Sequence, residues 1–314
     1  MERIESSRFQ WVGSNPEARE GITRKSTTYL QDALGRLLKN KVAVVCAAII
    51  VVLIICSIVI PFVSPFEGRE QHFSHMNSPM GTVCTEKDGA PIHIFGTDQL
   101  GRDLFTRAWE GGRVSLFIAF AAVFINFIVG IIYGGISGYF GGIVDNILMR
   151  ITEIISGIPY LIIVVLLMMI LPQGLWTIVI AYATTGWTGM ARLVRGQIIQ
   201  LKEQEFVIAA QAMGGKASRI IMRHLIPNTL SVVIVNVTLA IPSAIFTEAW
   251  LSYLGLGVPV PLSSWGTLAQ SGAAQFQTYP IQLVVPAVCI CLTMLSFNLL
   301  GDGLRDAFDP RLRR

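Results

Sequence analysis

Apolar positions in this chain run on continuously instead of alternating or forming narrow stripes. Residues 42–63 and 114–140 carry no charge, and each exceeds the about 20 apolar residues that a helix needs to cross a hydrocarbon core. A long uncharged tract between Glu153 and Arg192 is interrupted by Pro172-Gln173-Gly174. It reads as two helices, 147–171 and 175–194, joined by a tight turn. A fifth span is expected over 229–253. From Ala249 to Gly301 there is again no charge, but 255–280 is rich in Gly, Pro, Ser and Gln. That stretch predicts a loop or re-entrant segment, with a sixth span at 281–301. The fold class that follows is an all-α integral membrane protein of six transmembrane helices.

Ahead of the first span, Tyr29, Leu30, Ala33, Leu34, Leu37 and Leu38 recur at helical spacing. Two readings stay open, an interfacial amphipathic helix and a plain continuation of the first helix. The chain thus divides into a tail, 1–41, expected to carry the interfacial helix, and a transmembrane domain, 42–314. The tail is charged and lacks the pattern of a cleavable signal peptide.

One segment, 203–228, is too polar to span and too patterned for a linker. In its first half Phe206, Ala210 and Met213 share a helical face. Gly214-Gly215 then break the helix, because glycine is costly inside one and free to take unusual backbone angles. Beyond them Ile220, Ile221 and Leu225 form a second stripe, with Lys216, Arg219 and Arg223 largely opposite. Pro227 suits the first turn of the next span. The segment is therefore expected to be two short helices joined by a glycine elbow, and the small residues Ala209, Ala210, Ala212, Gly214 and Gly215 leave room for another surface. A connector that merely shields apolar side chains is the plainer alternative.

Composition agrees with lipid as the main solvent. The 314 residues are 53% hydrophobic and 14% charged, against about 25% charged in soluble domains, and the mean hydropathy is +0.59. A net charge of +4 is too small to point to nucleic acid. Lys and Arg decide orientation. Eight lie in the tail, six in 192–228 and four after 304, whereas 64–113 has five basic residues against seven acidic ones. Both termini and the elbow segment are therefore expected in the cytoplasm.

Candidate chemistry inside the membrane is sparse. Ionisable residues in spans are functional candidates by default. Glu153, three residues after Arg150, fits an interfacial ion pair. Glu248 falls near the outer end of the fifth span, where it would meet either a solute or headgroup water. Asn126 and Asn236 would line a path or bond between helices. The triplet at Asn236 matches a glycosylation signal but lies in a span and is set aside. His72, His75, Cys84 and His93 can be drawn together as a metal site, yet no fixed ligand spacing supports one, and no metal is assigned. No H-E-x-x-H pattern for a membrane metalloenzyme occurs. Paired broken helices of the kind secondary transporters use are not convincing either. Cys46, Cys56, Cys289 and Cys291 fall in apolar runs, leaving Cys84 without a loop partner for a disulfide.

Several motifs carry a resemblance. The segment "FVIAAQAMGGKASRIIMRHLIPN" (206–228) resembles the EAA loop of ATP-binding-cassette importer permeases, matched at Ala209, Ala210, Gly214 and Pro227. It departs from that loop at Ile208, where the pattern has glutamate. "HIFGTDQLGRDLFTRAWEGGRVSL" (93–116), "GWTGMARLVRGQ" (186–197), "LSYLGLGVPVPLSSWG" (251–266) and "GDGLRDAFDPRLR" (301–313) are similar to the C-type permease of oligopeptide and dipeptide importers. The resemblance implies the type I importer transmembrane fold in a bacterial inner membrane. It implies as partners a second homologous permease, two cytoplasmic ATPases and an extracytoplasmic peptide-binding protein. Phe206, Ala209, Ala210, Met213, Gly214, Gly215, Arg219 and Pro227 would dock on an ATPase, and the outer loop would be a solvated face toward the binding protein. Asn126, Asn236, Glu248 and Trp265 are candidates for the substrate path, with Trp265, Gln270 and Tyr279 open to either substrate or the partner permease. The chain itself has no Walker A loop, since Ala210 and Ala217 stand where Gly and Ser or Thr are needed around Gly215-Lys216. ATP and magnesium would be bound by the partners, so this chain is expected to be no enzyme. Nickel, glutathione or another small solute is the alternative cargo.

Overall fold

The computed structural model describes residues 29–309. The basic residues expected before Tyr29, and Arg311, Arg313 and Arg314, lie outside the described residues.

Among the described residues the architecture is helical, apart from the 64–103 stretch, which holds a two-stranded hairpin. In chain order the helices are α1 (Tyr29–Lys39), α2 (Lys41–Val63), α3 (Leu104–Phe140), α4 (Gly142–Gly157), α5 (Tyr160–Ile170), α6 (Leu175–Leu201), α7 (Glu205–Ala212), α8 (Ala217–Ile220), α9 (Ile226–Tyr253), α10 (Trp265–Ala274) and α11 (Ile281–Phe308). A single π turn (Ile221–Leu225) joins α8 to α9. Strands β1 (Thr82–Val83) and β2 (Ile92–His93) pair antiparallel.

α2 shows why these helices suit lipid. Ala43, Cys46, Ile50, Leu53 and Ser57 are buried, at the three- and four-residue spacing of one helix face. Val44, Val45, Val51, Val52, Ile55, Ile58 and Val59 are exposed. A helix apolar on its outward face as well is stable only in an apolar solvent. Asn40 starts it, accepting from the amides of Val42 at 3.1 Å and Ala43 at 3.2 Å, which satisfies two free helix donors.

The centre is the pairing of α3 with α6. Gly130, Gly134 and Gly138, spaced four apart on α3, meet α6 so closely that a Cβ at Gly134 would stand 2.4 Å from the Ala191 carbonyl. Small residues at this spacing let membrane helices approach backbone to backbone. α9, α10, α11 and α2 close the bundle around a core of Ile50, Leu116, Val123, Ile245, Trp265 and Phe297. α1 lies against the end of α11, where Leu37 and Ala43 approach Gly303.

Among the described residues four helical runs are long and apolar enough to cross a membrane: α2, α3, the run Ala217–Tyr253, and α11. α4 with α5 makes a fifth if the bent pair counts as one span. The single helix expected over 147–171 is instead broken, the two halves meeting at 83°. Pro159 is the physical reason, because proline disfavours the helical region for the residue before it, and Ile158 is extended at φ −84°, ψ 126°. α6 runs past its expected end at 194 to Leu201, so Arg195, counted with the loop, belongs to the helix together with Arg192.

Candidate functional site

The elbow forms as its glycines dictate. α7 ends at Ala212, and Gly214 takes φ +77° with nothing within 4 Å of the space a Cβ would fill. Its requirement is conformational, since a left-handed residue other than glycine is strained. Gly215 has a different reason. Its amide donates to the Ala210 carbonyl at 3.0 Å, and a Cβ there would lie 2.7 Å from that oxygen.

Val207 and Ala210 turn inward, joining Ile131, Val194, Ile198, Ile220, Ile221 and Leu225 in one core cluster. Phe206, Ile208, Ala209 and Met213 are exposed, Met213 at 83%. The face expected for Phe206, Ala210 and Met213 is thus divided, with Ala210 on the buried side and the other two outside. The stripe of Ile220, Ile221 and Leu225 is buried, while Lys216, Arg219 and Arg223 are exposed. The second expected helix is no separate element. It continues through the π turn into α9, with Pro227 in the first turn, so the elbow is rigidly attached to a 37-residue helical run.

Glu248 occupies the other end of that run. It is 2% exposed and accepts from Ser115 Oγ on α3 at 2.9 Å and from Ser252 Oγ at 2.7 Å. Ser115 in turn accepts from the Trp265 amide at 3.1 Å, and the Trp265 indole donates to the Ala108 carbonyl at 2.7 Å. Neither Glu248 nor Trp265 has surface to offer a solute or headgroup water in this conformation. They lock α3, α9 and α10 together.

The two asparagines differ. Asn126 is buried against α6, where Gly186 leaves room for its amide, and its Oδ1 has no hydrogen-bond partner among the described residues. Asn236 lies in the wall of a cavity of about 450 Å³ with Leu193, Ser231, Leu239 and Arg305. Near the same end Arg195 grips Asp145 with two bonds of 2.5 Å, and Ser137 donates to Asp145 at 2.5 Å. This clamp ties α3, α4 and α6 together. The sequence did not mark the pair, because Asp145 shares α4 with Arg150 and Glu153, and Arg195 shares α6 with Arg192.

The loop from 64 to 103 is no solvated strap. His72, His75, Cys84 and His93 are buried, and Phe66 stacks on His93 at 4.2 Å. His93 Nδ1 meets Asp103 Oδ1 at 2.9 Å, while Asp103 Oδ2 accepts from the Thr106 amide at 2.7 Å and caps α3. Asp98 accepts from Arg102 at 2.8 Å and from Arg107. Gln282 at the start of α11 donates to Asn77 Oδ1 at 2.9 Å. The loop is a folded cap latched to α3 and α11. Hydrogen bonds from Ser74 and then His72 hold the Glu86 carboxyl below the usual carboxylate range. No three His, Cys, Asp or Glu side chains among the described residues stand as a metal-binding group.

An apolar bundle clamped by internal polar contacts, capped at one end and bearing an exposed elbow at the other, is the architecture of a transport permease. Residues 128–314 match the family of binding-protein-dependent transport system inner membrane components, and residues 28–79 match the N-terminal transmembrane domain of oligopeptide transport permease C. The chain belongs to this family of multi-pass inner-membrane proteins. It is 46% identical over 314 residues, all of both chains, to the oligopeptide transport system permease protein OppC of Bacillus subtilis. It is 45% identical to the dipeptide transport system permease protein DppC of the same organism, over 97% of this chain and 94% of that one. Escherichia coli K12 OppC is 40% identical over 95% of this chain and 98% of its own.

Proposed function

We infer that this chain is the C-type permease subunit of a bacterial importer of oligopeptides or dipeptides. The observation that carries the reading is similarity along the whole chain, at 45–46% identity, to permeases named for those two cargoes. The chain crosses the membrane six times in the type I importer arrangement, with both termini in the cytoplasm. It pairs with a second, homologous permease. Two cytoplasmic ATPases bind ATP and magnesium and carry out hydrolysis, while this chain holds no cofactor. An extracytoplasmic binding protein delivers the peptide to the cap side.

The elbow gives the coupling its physical form. Phe206, Ile208 and Met213 present apolar surface where the bundle has nothing to cover them, and the exposed Arg219 adds charge beside it. A groove on an ATPase buries this surface together with Ala209. Because the elbow continues into α9, a displacement of α7 turns that helix as a rigid body. At its far end Glu248 holds α3 and α10, so the movement reaches the cap side. Ile208 replaces a carboxylate in the docking face, so apolar burial does the work an ion pair does in the glutamate form.

The test is uptake of a labelled peptide into proteoliposomes containing the two permeases and two ATPases, with ATP inside and loaded binding protein outside. Uptake that needs both ATP and binding protein is expected. Uptake driven by nickel or glutathione instead of peptide would overturn the cargo assignment.

A further inference from the structure

The break between α4 and α5 opens a polar cavity of about 400 Å³ inside an otherwise apolar tract, with Ser156, Pro159, Tyr160, Thr185, Thr188 and Arg192 in its wall. Its depth follows from α6. Ser156 Oγ donates to Thr188 Oγ1 at 3.1 Å, and Thr188 lies about 20 Å along α6 from Leu175 at 1.5 Å per residue. On the six-span arrangement proposed above, with α6 entering at Leu175, the break falls within a hydrocarbon core about 30 Å thick. Non-helical backbone at that depth persists only where protein or water covers it.

The wall is unusual in its charge. Arg192 is exposed and has no hydrogen-bond or ion-pair partner among the described residues, whereas Arg195, one turn on, is neutralised by Asp145. No acidic side chain lines the cavity. Glu153, the nearest acid in sequence, is paired with Arg150 and lines a different cavity. The Tyr160 hydroxyl is enclosed and lacks a partner. An uncompensated guanidinium cannot face acyl chains. Beside hydroxyls it makes a site with one fixed positive charge and hydrogen-bonding groups around it, which is the complement of a carboxylate.

We propose that this cavity is a way-station in the translocation path, where Arg192 holds the C-terminal carboxylate of the passing peptide. The inference rests on the peptide-import reading and names the part of the peptide that is recognised. Every linear peptide carries that carboxylate whatever its side chains, so the site suits a transporter of mixed sequences. The cavity is within the size range of small-ligand pockets and takes the end of a peptide, with the remainder in the open path. The bend at Pro159 keeps the hydroxyls of Ser156 and Tyr160 turned toward α6 and would be lost in a straight span.

The experiment compares tri-alanine with its C-terminal amide in the reconstituted four-subunit complex. Arg192→Gln is expected to lower uptake of the free acid about tenfold and of the amide less than twofold, and Arg192→Lys to restore most of the acid's rate. As a second measurement, Thr185→Cys is labelled with a maleimide in an otherwise cysteine-free complex. Tri-alanine is expected to slow labelling, the amide not to, and Arg192→Gln to remove the protection. Equal loss of acid and amide uptake, with unprotected labelling, would overturn the proposal and assign Arg192 to subunit contact. Wild-type uptake of neither probe would overturn the peptide-import reading itself, an outcome distinct from failure of Arg192 alone.

Discussion

Glu248 is a carboxylate that a membrane helix keeps because its partners are built in. Ser115 passes a hydrogen bond from the Trp265 amide on to Glu248, and Ser252 donates from one turn away. Removing the acceptor strands buried donors, at about 1–3 kcal/mol. Glu248→Ala is therefore expected to lower the thermal denaturation midpoint of the purified complex. Glu248→Gln should stay within about 1 kcal/mol of wild type, because Ser252 can turn its proton to Ser264, 3.4 Å away. Equal destabilisation by both changes would contradict this role. Nothing in the local sequence could reveal it, since Ser115 and Trp265 are remote positions brought together only by packing. Gly214-Gly215 is the opposite case. The helix break was legible in the residues themselves, although the reasons differ between the two positions, a left-handed backbone at one and a tight carbonyl at the other.

Among elements, the cap and the broken helix were the hardest to read. The 64–103 stretch has the polarity of a loop, and its order comes from pairings such as His93 with Asp103 and Gln282 with Asn77. Glu86 gives the cap a pH dependence whose sign is fixed. Its carboxyl titrates lower in the fold than in the unfolded chain, so the contribution is present above the unfolded value and is lost as pH falls through the folded one. Proteolysis between residues 72 and 86 in membranes is expected to rise as pH falls below the ordinary glutamate range, and Glu86→Gln should flatten that rise. A pH profile unchanged by Glu86→Gln would contradict it. For α4 and α5, the break was written in Pro159, but an uncharged run of that length fits a single span until the backbone is seen. α8 and α9 err the other way, since the polar stub of α9 reads as a helix of its own.

At the scale of the whole molecule, the uninterrupted apolar runs of α2, α3, α9 and α11 made the membrane class legible, because lipid-facing helices need no polar side. Arg192 was hidden because, at the end of the expected 175–194 span, it was counted with the basic loop that follows. On the proposed coupling, the elbow, α9 and the Glu248 lock would work as one lever between an ATPase and the cap side. Its most direct test is ATP hydrolysis by the reconstituted complex, wild type and Gly214→Val, with peptide-loaded binding protein added. The β-branched valine strains the left-handed turn by about 1–2 kcal/mol without a packing clash, so the protein should still assemble. Stimulated hydrolysis in the wild type, with stimulation lost in an assembled Gly214→Val complex, is the expected result. Hydrolysis that loaded binding protein leaves at its basal rate in the wild type, or stimulation undiminished in the variant, would contradict the coupling account.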